Sequence, residues 1–394
     1  MSQSRSFDVV VIGAGMVGAA CAHYAAAAGL RVAVVDRGPV AGGTTGTGEG
    51  NLLVSDKEPG PELDLALLSL RLWHGLADEV GAAGIEFEAK GGVVVAATEP
   101  AVTALEQLTV HQRLSGVVAE PVSDGRLREL EPQLAPGLAG GVRYPQDAQV
   151  QPALAAARLL HLPGRPGSVH LVAGAEVVGF DRGADGAVRG VRIAGAGTIA
   201  CGAVVNAAGT WGGRIAELAG SRLPVLPRRG FVLVTEPLPA GTIRHKVYAA
   251  DYVADVASGS AALQSSAVVE ATAAGPVLIG ASRERVGFDR TLAVPVLRRL
   301  AAQAVELFPV LAGIRVLRAY RGFRPYLPDH LPAIGPDPQL SGLYHACGHE
   351  GAGIGLAPAT GLLLARMLCG KTVDFDVSAF DPGRFAAVSG KGVG

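Results

Sequence analysis

Twelve residues near the N-terminus, FDVVVIGAGMVG (Phe7 to Gly18), place Gly13, Gly15 and Gly18 directly after a β-branched run. In GxGxxG spacing the first glycine permits a tight turn, the second lets backbone approach a pyrophosphate, and the third lets a helix pack on the strand. The pyrophosphate then meets free N–H groups, with Met16 and Val17 among the candidates, at the positive end of the helix dipole. A helical stretch (Ala19 to Ala28) ends at Gly29, and a second strand, Arg31 to Val35, ends in Asp36. Asp36 lies 18 residues after Gly18, close to the roughly 20 expected of a carboxylate that grips a ribose hydroxyl. Arg37 follows it. An acid here disfavours a 2′-phosphate and leaves NAD or FAD. A glycine-rich turn without a ligand is the alternative, but strand, helix, second strand and acid all stand in order.

Four further segments bear on the choice between NAD and FAD. Ala41 to Leu53 reads AGGTTGTGEGNLL, with Thr44, Thr45, Gly48, Gly50, Asn51 and Leu52 as flavin-side candidates. Val172 to Phe180 reads as one strand, with Val177 beside the adenine. Ala200 to Arg214 reads ACGAVVNAAGTWGGR, where a strand runs into a small-residue turn holding Ala207, Ala208, Gly209 and Trp211. Leu343 to Leu364 reads LYHACGHEGAGIGLAPATGLLL, a strand, a turn and a helix. The turn carries Gly348, His349, Gly351, Gly353 and Ile354, and a helix N-terminus here can stabilise negative charge developing on a reduced flavin. Just upstream of it, Tyr320 to Gly335 reads YRGFRPYLPDHLPAIG. Together these segments resemble the D-amino-acid oxidase superfamily of FAD-dependent oxidoreductases, in the right order along nearly the whole chain. The resemblance implies FAD.

Within that superfamily, GTTGTGEGNLLVSDKEPGPELDLALLS (Gly43 to Ser69) and GHEGAGIGLAPATG (Gly348 to Gly361) look like the flavin subunits of D-hydroxyproline dehydrogenases. These are similar in turn to the catalytic subunits of opine oxidases and hydrogen cyanide synthase. Such subunits commonly work with a second flavoprotein and a small iron–sulfur subunit, so the resemblance implies a dehydrogenase that passes electrons to a partner. The chain's own cysteines form no cluster for such a centre. The expected substrate is a small amino acid or secondary amine of the D-hydroxyproline or D-proline kind, oxidised by hydride transfer to flavin N5 to give an imine. Rival readings are an opine- or glycine-oxidising subunit of the same fold and a non-catalytic FAD electron-transfer scaffold. A flavin monooxygenase would show a Gly-Asp-Ala-x-His-type turn where this chain has CGHEGAG, and a disulfide reductase would need a cysteine pair.

The resemblance also assigns candidate catalytic residues. Arg324, in GFRP, occupies the position that binds substrate carboxylate in D-amino acid and glycine oxidases. Arginine suits that role because its charge is permanent and its fork bidentate. The bland alternative is an ion pair with Asp329. Tyr248 and Tyr252 (KVYAADYV) fall where the superfamily often places a tyrosine that closes over the substrate, and Tyr252 is slightly favoured. Glu49 and Glu350 sit inside the two glycine-rich segments, where a carboxylate could receive the substrate ammonium, hold a hydroxyl, cap a helix or contact a ribose. His349 is expected to position the flavin, covalent attachment through it or Cys347 being a minor alternative. Glycine oxidase-type enzymes carry a second arginine where this chain has Gly351, so a carboxylate clamp would rest on Arg324 alone.

These residues need elements to hold them. With 394 residues, 49% of them hydrophobic, the chain supports two or three domains and a large core. Charges are few, 18%, and nearly balanced at −1, which argues against nucleic acid or an anionic membrane as the main partner. The positive mean hydropathy of +0.34 fits tight strand–helix packing. Cys21, Cys201, Cys347 and Cys369 stand far apart, which suits a reducing cytosol rather than a disulfide or zinc framework. Met1 to Phe7 carries no leader pattern. Val9 to Leu30 and Gly351 to Leu368 are apolar but interrupted, so the chain is not expected to be an integral membrane protein. A cytoplasmic location is expected, alone or within a membrane-associated complex. The expected class is α/β (α+β): a Rossmann-type FAD-binding domain (1–85, 148–220 and 325–394) with a second, substrate-binding domain (86–147 and 221–324) built on an antiparallel sheet. Gly92 to Ala97, Gly230 to Thr235 and Val277 to Gly280 read as its strands. Pro61 to Leu76 and Leu292 to Phe308 read as helices, Leu162 to Gly167 as an exposed loop and Ser389 to Gly394 as a frayed tail.

Overall fold

Valine-rich runs at Phe7–Ile12 (β1) and Arg31–Asp36 (β2) form adjacent parallel strands, linked by helix Met16–Ala27 (α1). Parallel strands covered on both faces read as continuous apolar runs, which is what these two are. The computed structural model describes residues 6–162, 165–253 and 259–388. The leader expectation before residue 6, part of the 162–167 loop and the 389–394 tail therefore lie outside the described residues.

After β2 the chain makes a 3-10 turn (Thr44–Thr47), a short strand Asn51–Leu52 (β3) and helix Pro61–Val80 (α2). Pro61 sits where a missing N–H costs nothing, and Glu62 and Asp64 favour the helix dipole, so α2 starts where expected and runs four residues further than Leu76. Strand Gly92–Ala96 (β4), helix Glu99–Leu114 (α3), strand Glu120–Ser123 (β5), helix Asp124–Leu130 (α4) and strand Gly140–Tyr144 (β6) follow. The chain returns through Ala148–Gln149 (β7) and helix Pro152–His161 (α5) to strands Ser168–Ala173 (β8), Val177–Arg182 (β9), Val188–Ile193 (β10) and Gly197–Asn206 (β11), then helix Gly212–Leu218 (α6). It leaves again through Leu226–Pro237 (β12), Lys246–Ala249 (β13), Gln264–Ala271 (β14), Pro276–Arg283 (β15), helix Val294–Leu307 (α7) and Val316–Tyr326 (β16). Strands Ala333–Pro336 (β17) and Leu343–Cys347 (β18) and helix Gly353–Leu368 (α8) complete the order.

The strands form two large sheets. One has the order β17-β18-β11-β1-β2-β8, with β10 and β9 extending it beside β11. From β18 to β8 its strands are parallel, with β17 antiparallel at one edge. The other has the order β16-β12-β15-β14-β13-β4-β6-β5. Two expectations are corrected. Val172 to Phe180 is not one strand, because Gly174, at φ +72°, ends β8 before β9 begins. Nor is the second sheet wholly antiparallel: β13 runs parallel to β4. β4 and β13 lie far apart in the chain, so no hairpin joins them and nothing forces the antiparallel sense there.

Helix α1 has no polar face because it is buried on all sides, between the parallel sheet and α8. Small residues let α1 and α8 approach closely. A Cβ on Gly361 would stand 2.7 Å from the Ala20 carbonyl group, a backbone contact that cannot move aside. Among the described residues, no helix is long and apolar enough to cross a membrane. Gly361→Val should therefore destabilise the fold by about 1–3 kcal/mol or more, read as a lowered midpoint of thermal unfolding. Gly84→Ala, where a Cβ meets only ordinary van der Waals contact, should leave that midpoint nearly unchanged.

Candidate active site

The first βαβ unit builds a cradle from backbone. Gly13 has φ +114°, and any side chain there would collide with the Ala207 carbonyl. Gly18 lies equally close to the Gly13 carbonyl, so α1 begins directly above β1. The N-cap of α1 is Gly15, no side chain caps it, and its first turn carries no acid. Thr45 Oγ1 accepts the Met16 N–H at 2.9 Å, which ties the 3-10 turn to the helix start. Asp36 accepts from the N–H groups of Ala14 and Gly38, each at 2.7 Å. A carboxylate has about four acceptor sites, so hydroxyl-binding capacity remains. A helix start with glycine at its N-cap, close glycine-to-backbone contacts and a carboxylate at the strand end fit a dinucleotide such as FAD.

The turn after β11 closes this cradle. Ala207 donates its N–H to Ile12 O at 2.9 Å, Ala208 donates its N–H to Asn206 Oδ1 at 3.3 Å, and Gly209 sits at φ +55°. Asn206 is fixed from behind: its Nδ2 donates to Gly212 O at 2.9 Å and lies 3.1 Å from His345 Nδ1. His345 Nε2 meets Asp337 Oδ2 at 2.8 Å, and Ser221 donates to Asp337 Oδ1 at 2.6 Å. Burial alone would raise Asp337, but these hydrogen bonds hold its carboxyl at about 2. The Arg37 guanidinium lies 4.1 Å over the Trp211 ring, and Trp211 stacks on Phe288, which meets Phe323 edge-on. Val177 is buried in the apolar cluster with Val10, Val35 and Phe180, so any nucleotide contact runs through its main chain.

The segment from Thr44 to Lys57 leaves the cradle and crosses to the second sheet. Thr44 donates to Phe323 O at 2.7 Å, and Gly48 O accepts from the Tyr320 hydroxyl at 3.3 Å. Gly50 tolerates no side chain against the Val150 carbonyl, and its N–H donates to Glu270 Oε1 at 3.2 Å. Lys246 Nζ bonds Asn51 Oδ1 and pairs with Glu270 Oε2 at 3.1 Å. Leu52 is buried in the core. Glu49, between these anchors, is buried and receives Asn51 Nδ2 at 3.3 Å. Burial raises its carboxyl above the usual range; Lys246 and Arg324 oppose that rise and Glu270 adds to it.

The second sheet supplies the cations. Arg324, on β16, donates Nη1 to Ser282 O at 2.8 Å, and burial together with the neighbouring Arg283 lowers its pKa. The Asp329 alternative does not hold, because Asp329 pairs with Arg384 at 2.7 Å. Arg283 lies 5.0 Å over the Tyr252 ring and, among the described residues, has neither an ion-pair nor a hydrogen-bond partner. Arg324 thus has a second arginine beside it, supplied by β15 rather than by the turn at Gly351. At Gly351 a Cβ would lie 3.6 Å from Arg324 Nε. Tyr252 lines a narrow cleft with Asn51, Asp56, Lys57, Trp73, Gly351 and Gly355, while Tyr248 is buried behind it. The Tyr248 hydroxyl donates to Ser55 Oγ at 2.5 Å, and Ser55 Oγ donates to Asp147.

The C-terminal turn separates several candidates. Gly348 is at φ +81°, and Gly353 and Ile354 open α8, whose start carries no side-chain cap. Gly355 O accepts from Trp73 Nε1 at 3.1 Å and from the Ser69 hydroxyl at 2.6 Å, so α2 fixes this helix start. His349 is buried with Nε2 3.0 Å from Thr360 Oγ1, and burial pushes its pKa down to about 3, which keeps the ring neutral. Cys347 donates Sγ–H to Asn206 O at 3.1 Å, and burial pushes its thiol up to about 12. Glu350, at φ +46°, is paired with Arg228 at 2.5 Å and His330 at 3.0 Å. Burial would raise its carboxyl, but those two partners lower it.

Sequence reasoning missed Lys246, Glu270, Arg283 and Asp147. Of these only Glu270 carried a signal, a lone charge in the largely apolar run QSSAVVEA, which marks a buried and therefore partnered group.

The family model described as FAD dependent oxidoreductase (DAO) matches residues 8–367. The chain is 28% identical to hydrogen cyanide synthase subunit HcnC of Pseudomonas aeruginosa, over 97% of each chain. It is 30% identical to glycine oxidase of Geobacillus kaustophilus over 96% of this chain and 97% of that one; the crystal structure of that enzyme superposes with a TM-score of 0.86. L-proline dehydrogenase from P. horikoshii superposes with the same TM-score at 25% identity, covering 98% of this chain and 99% of the other.

Asp147 yields a pH prediction. Its carboxyl accepts the N–H of Val54 at 2.9 Å, yet burial raises it to about 7 against the ordinary 3.8. Between those values the unfolded chain releases a proton that the folded chain keeps, so stability falls as pH rises through about 4 to 7 and then levels. Asp147→Asn should flatten that part of the thermal-stability profile. A variant that retained the wild-type slope from about pH 4 to 7 would assign it to another group.

Proposed function

The chain belongs to the DAO family of FAD dependent oxidoreductases, and from that premise we propose that it oxidises the carbon–nitrogen bond of a small amino acid or secondary amine of the D-proline or D-hydroxyproline kind. One observation carries the reading. Buried Arg283, without a carboxylate partner among the described residues, stands beside Arg324, and buried Glu49 stands near that pair with an unpartnered oxygen. Cations and an anion gathered at one buried place suit a zwitterion, whose carboxylate and ammonium carry the complementary charges.

Arg324 and Arg283 bind and orient the carboxylate. Tyr252, whose hydroxyl has no partner among the described residues, closes the cleft side. FAD, held by the glycine cradle and Asp36, would supply the two-electron acceptor for oxidation of the substrate carbon–nitrogen bond. The chain orients the α-carbon and excludes water, which is where much of the rate originates. Gly351 leaves space beside Arg324, which supports a substrate with a substituent or ring over glycine itself. HcnC is by name a subunit of its enzyme, and this chain's four cysteines are scattered. Both support a dehydrogenase subunit that hands electrons to a second flavoprotein and a small iron–sulfur subunit.

Anaerobic addition of cis-4-hydroxy-D-proline, D-proline, sarcosine, glycine or an opine to the FAD-loaded protein should bleach the flavin band with the cyclic D-amino acids first. Stoichiometric FAD with no bleaching by any amine would favour an electron-transfer scaffold instead. Arg324→Gln should raise the half-saturating substrate concentration about 10–100-fold, the size of one lost charge-assisted contact.

A further inference from the structure

Glu49 is the charged group at the site whose partners do not account for it. It is 8% exposed, and its Oε1 has no hydrogen-bond partner. Gly280, on β15, makes room for it, since a side chain at that position would collide with Oε1. A desolvated carboxylate oxygen without a donor is costly, and native structures rarely keep one without a use.

The groups facing Glu49 come from several elements. Lys246 stands on β13, Glu270 on β14, and Arg324 and Tyr320 on β16, with Asn51 on its own segment. Lys246 is already engaged by Glu270 at 3.1 Å and by Asn51, and Arg324 Nη1 by Ser282 O at 2.8 Å. The pair Lys246–Glu270 is internally neutral, which leaves Arg324 as the cation facing Glu49, and Arg324 is the group that takes the substrate carboxylate in the reading above. The free oxygen therefore suits a donor that arrives with the ligand and carries positive charge. In the amine-oxidation reading proposed above, on which this inference rests, that donor is the substrate ammonium.

We infer that Glu49 is the group that takes the proton from the substrate ammonium, with Lys246 and Glu270 as positioning residues that set how readily it does so. The N–H bond of the ammonium breaks, its electron pair stays on nitrogen, and the proton passes to the Glu49 carboxylate. That freed pair assists departure of the α-hydrogen with two electrons to the bound FAD, the oxidant in this reading. Glu49 returns the proton to water when product leaves. The geometric requirement is a carboxylate oxygen within hydrogen-bond reach of the amine, and the unpartnered Oε1 supplies it. Burial, which raises the carboxyl of Glu49, also improves it as a proton acceptor.

The experiment compares FAD-loaded wild type, Glu49→Gln and Glu270→Gln in anaerobic stopped flow with saturating D-proline from about pH 6 to 10. Wild-type flavin reduction should rise with pH and level off well below the ionisation of the free amine. Glu49→Gln should fall about 100-fold at neutral pH, the usual scale of a positioned acid–base group, and its rate should climb tenfold per pH unit towards that of the amine. Glu270→Gln removes a negative neighbour and should move the wild-type limb to lower pH. Calorimetric binding of pyrrole-2-carboxylate, a planar acid without an ammonium, guards against misfolding: Glu49→Gln should bind it at least as tightly as wild type. Identical pH profiles in wild type and Glu49→Gln, with pyrrole-2-carboxylate still bound, would overturn the assignment of Glu49 alone. A wild type that no amine in the panel reduces would overturn the underlying reading and this inference with it.

Discussion

Lys246 and Glu270, sealed together at 3.1 Å on neighbouring strands, hold the flavin-side segment against the second sheet. Through Asn51 and the Gly50 N–H the pair fixes the chain on both sides of one peptide. Burying two charges costs several kcal/mol each before their attraction offsets it, and removing one partner typically costs about 3–5 kcal/mol. Such a pair is a poor source of net stability but a stringent selector of geometry. If β13, β14 and Asn51 are not in register, a bare charge is left in the core. The position of Glu49, the enclosure around Arg324 and the seating of the Thr44–Thr47 turn all follow from that register.

The two glutamates in glycine-rich segments show how local chemistry divides residues of one type. Glu350 receives a guanidinium and an imidazole, and these outweigh its burial. Glu49 receives one weak amide contact and faces cations already engaged elsewhere, so burial prevails. Glu350 is thereby a fixed anion that closes the turn before α8 against Arg228. Glu49 is left with unmet capacity. The tyrosines divide in the same way: Tyr248, inside β13, is spent on the Ser55–Asp147 network, whereas Tyr252, beyond the strand end, borders the cleft.

The nucleotide half of the molecule was legible because its constraints are local. Gly18 is dictated by the Gly13 carbonyl five residues before it, and strand, turn, helix and acid occur in sequence, although the clash that fixes Gly13 comes from the distant Ala207. FAD over NAD was readable from small residues whose absence of side chain is itself the signal, as at Gly50. The second half was less legible because its partners are set by sheet order. Nothing in HKVYAADYV or QSSAVVEA states that Lys246 and Glu270 are neighbours, or that β13 runs parallel to β4. Asp329 looked like the natural partner of Arg324 at five residues' remove, yet Arg384 takes it from near the C-terminal end. The second arginine was sought in the turn at Gly351, whereas Arg283 comes from a strand with no motif to mark it.

The parallel sheet draws its strands from three separate stretches of chain, with β1 at its centre and β18 arriving 336 residues after Phe7. On the ribosome this ordering has a temporal meaning. At about 5–20 residues per second, roughly 17–70 s separate synthesis of β1 from that of β18. Throughout that interval the small-residue face of α1 lacks α8, which covers it in the finished molecule, and β11 lacks its outer neighbour β18. The second sheet, by contrast, has all its strands once β16 emerges. The nascent chain thus passes through a stage in which the sheet bearing the arginines can be complete while the nucleotide cradle still lacks one wall, a natural point for chaperone capture and for cofactor to enter last.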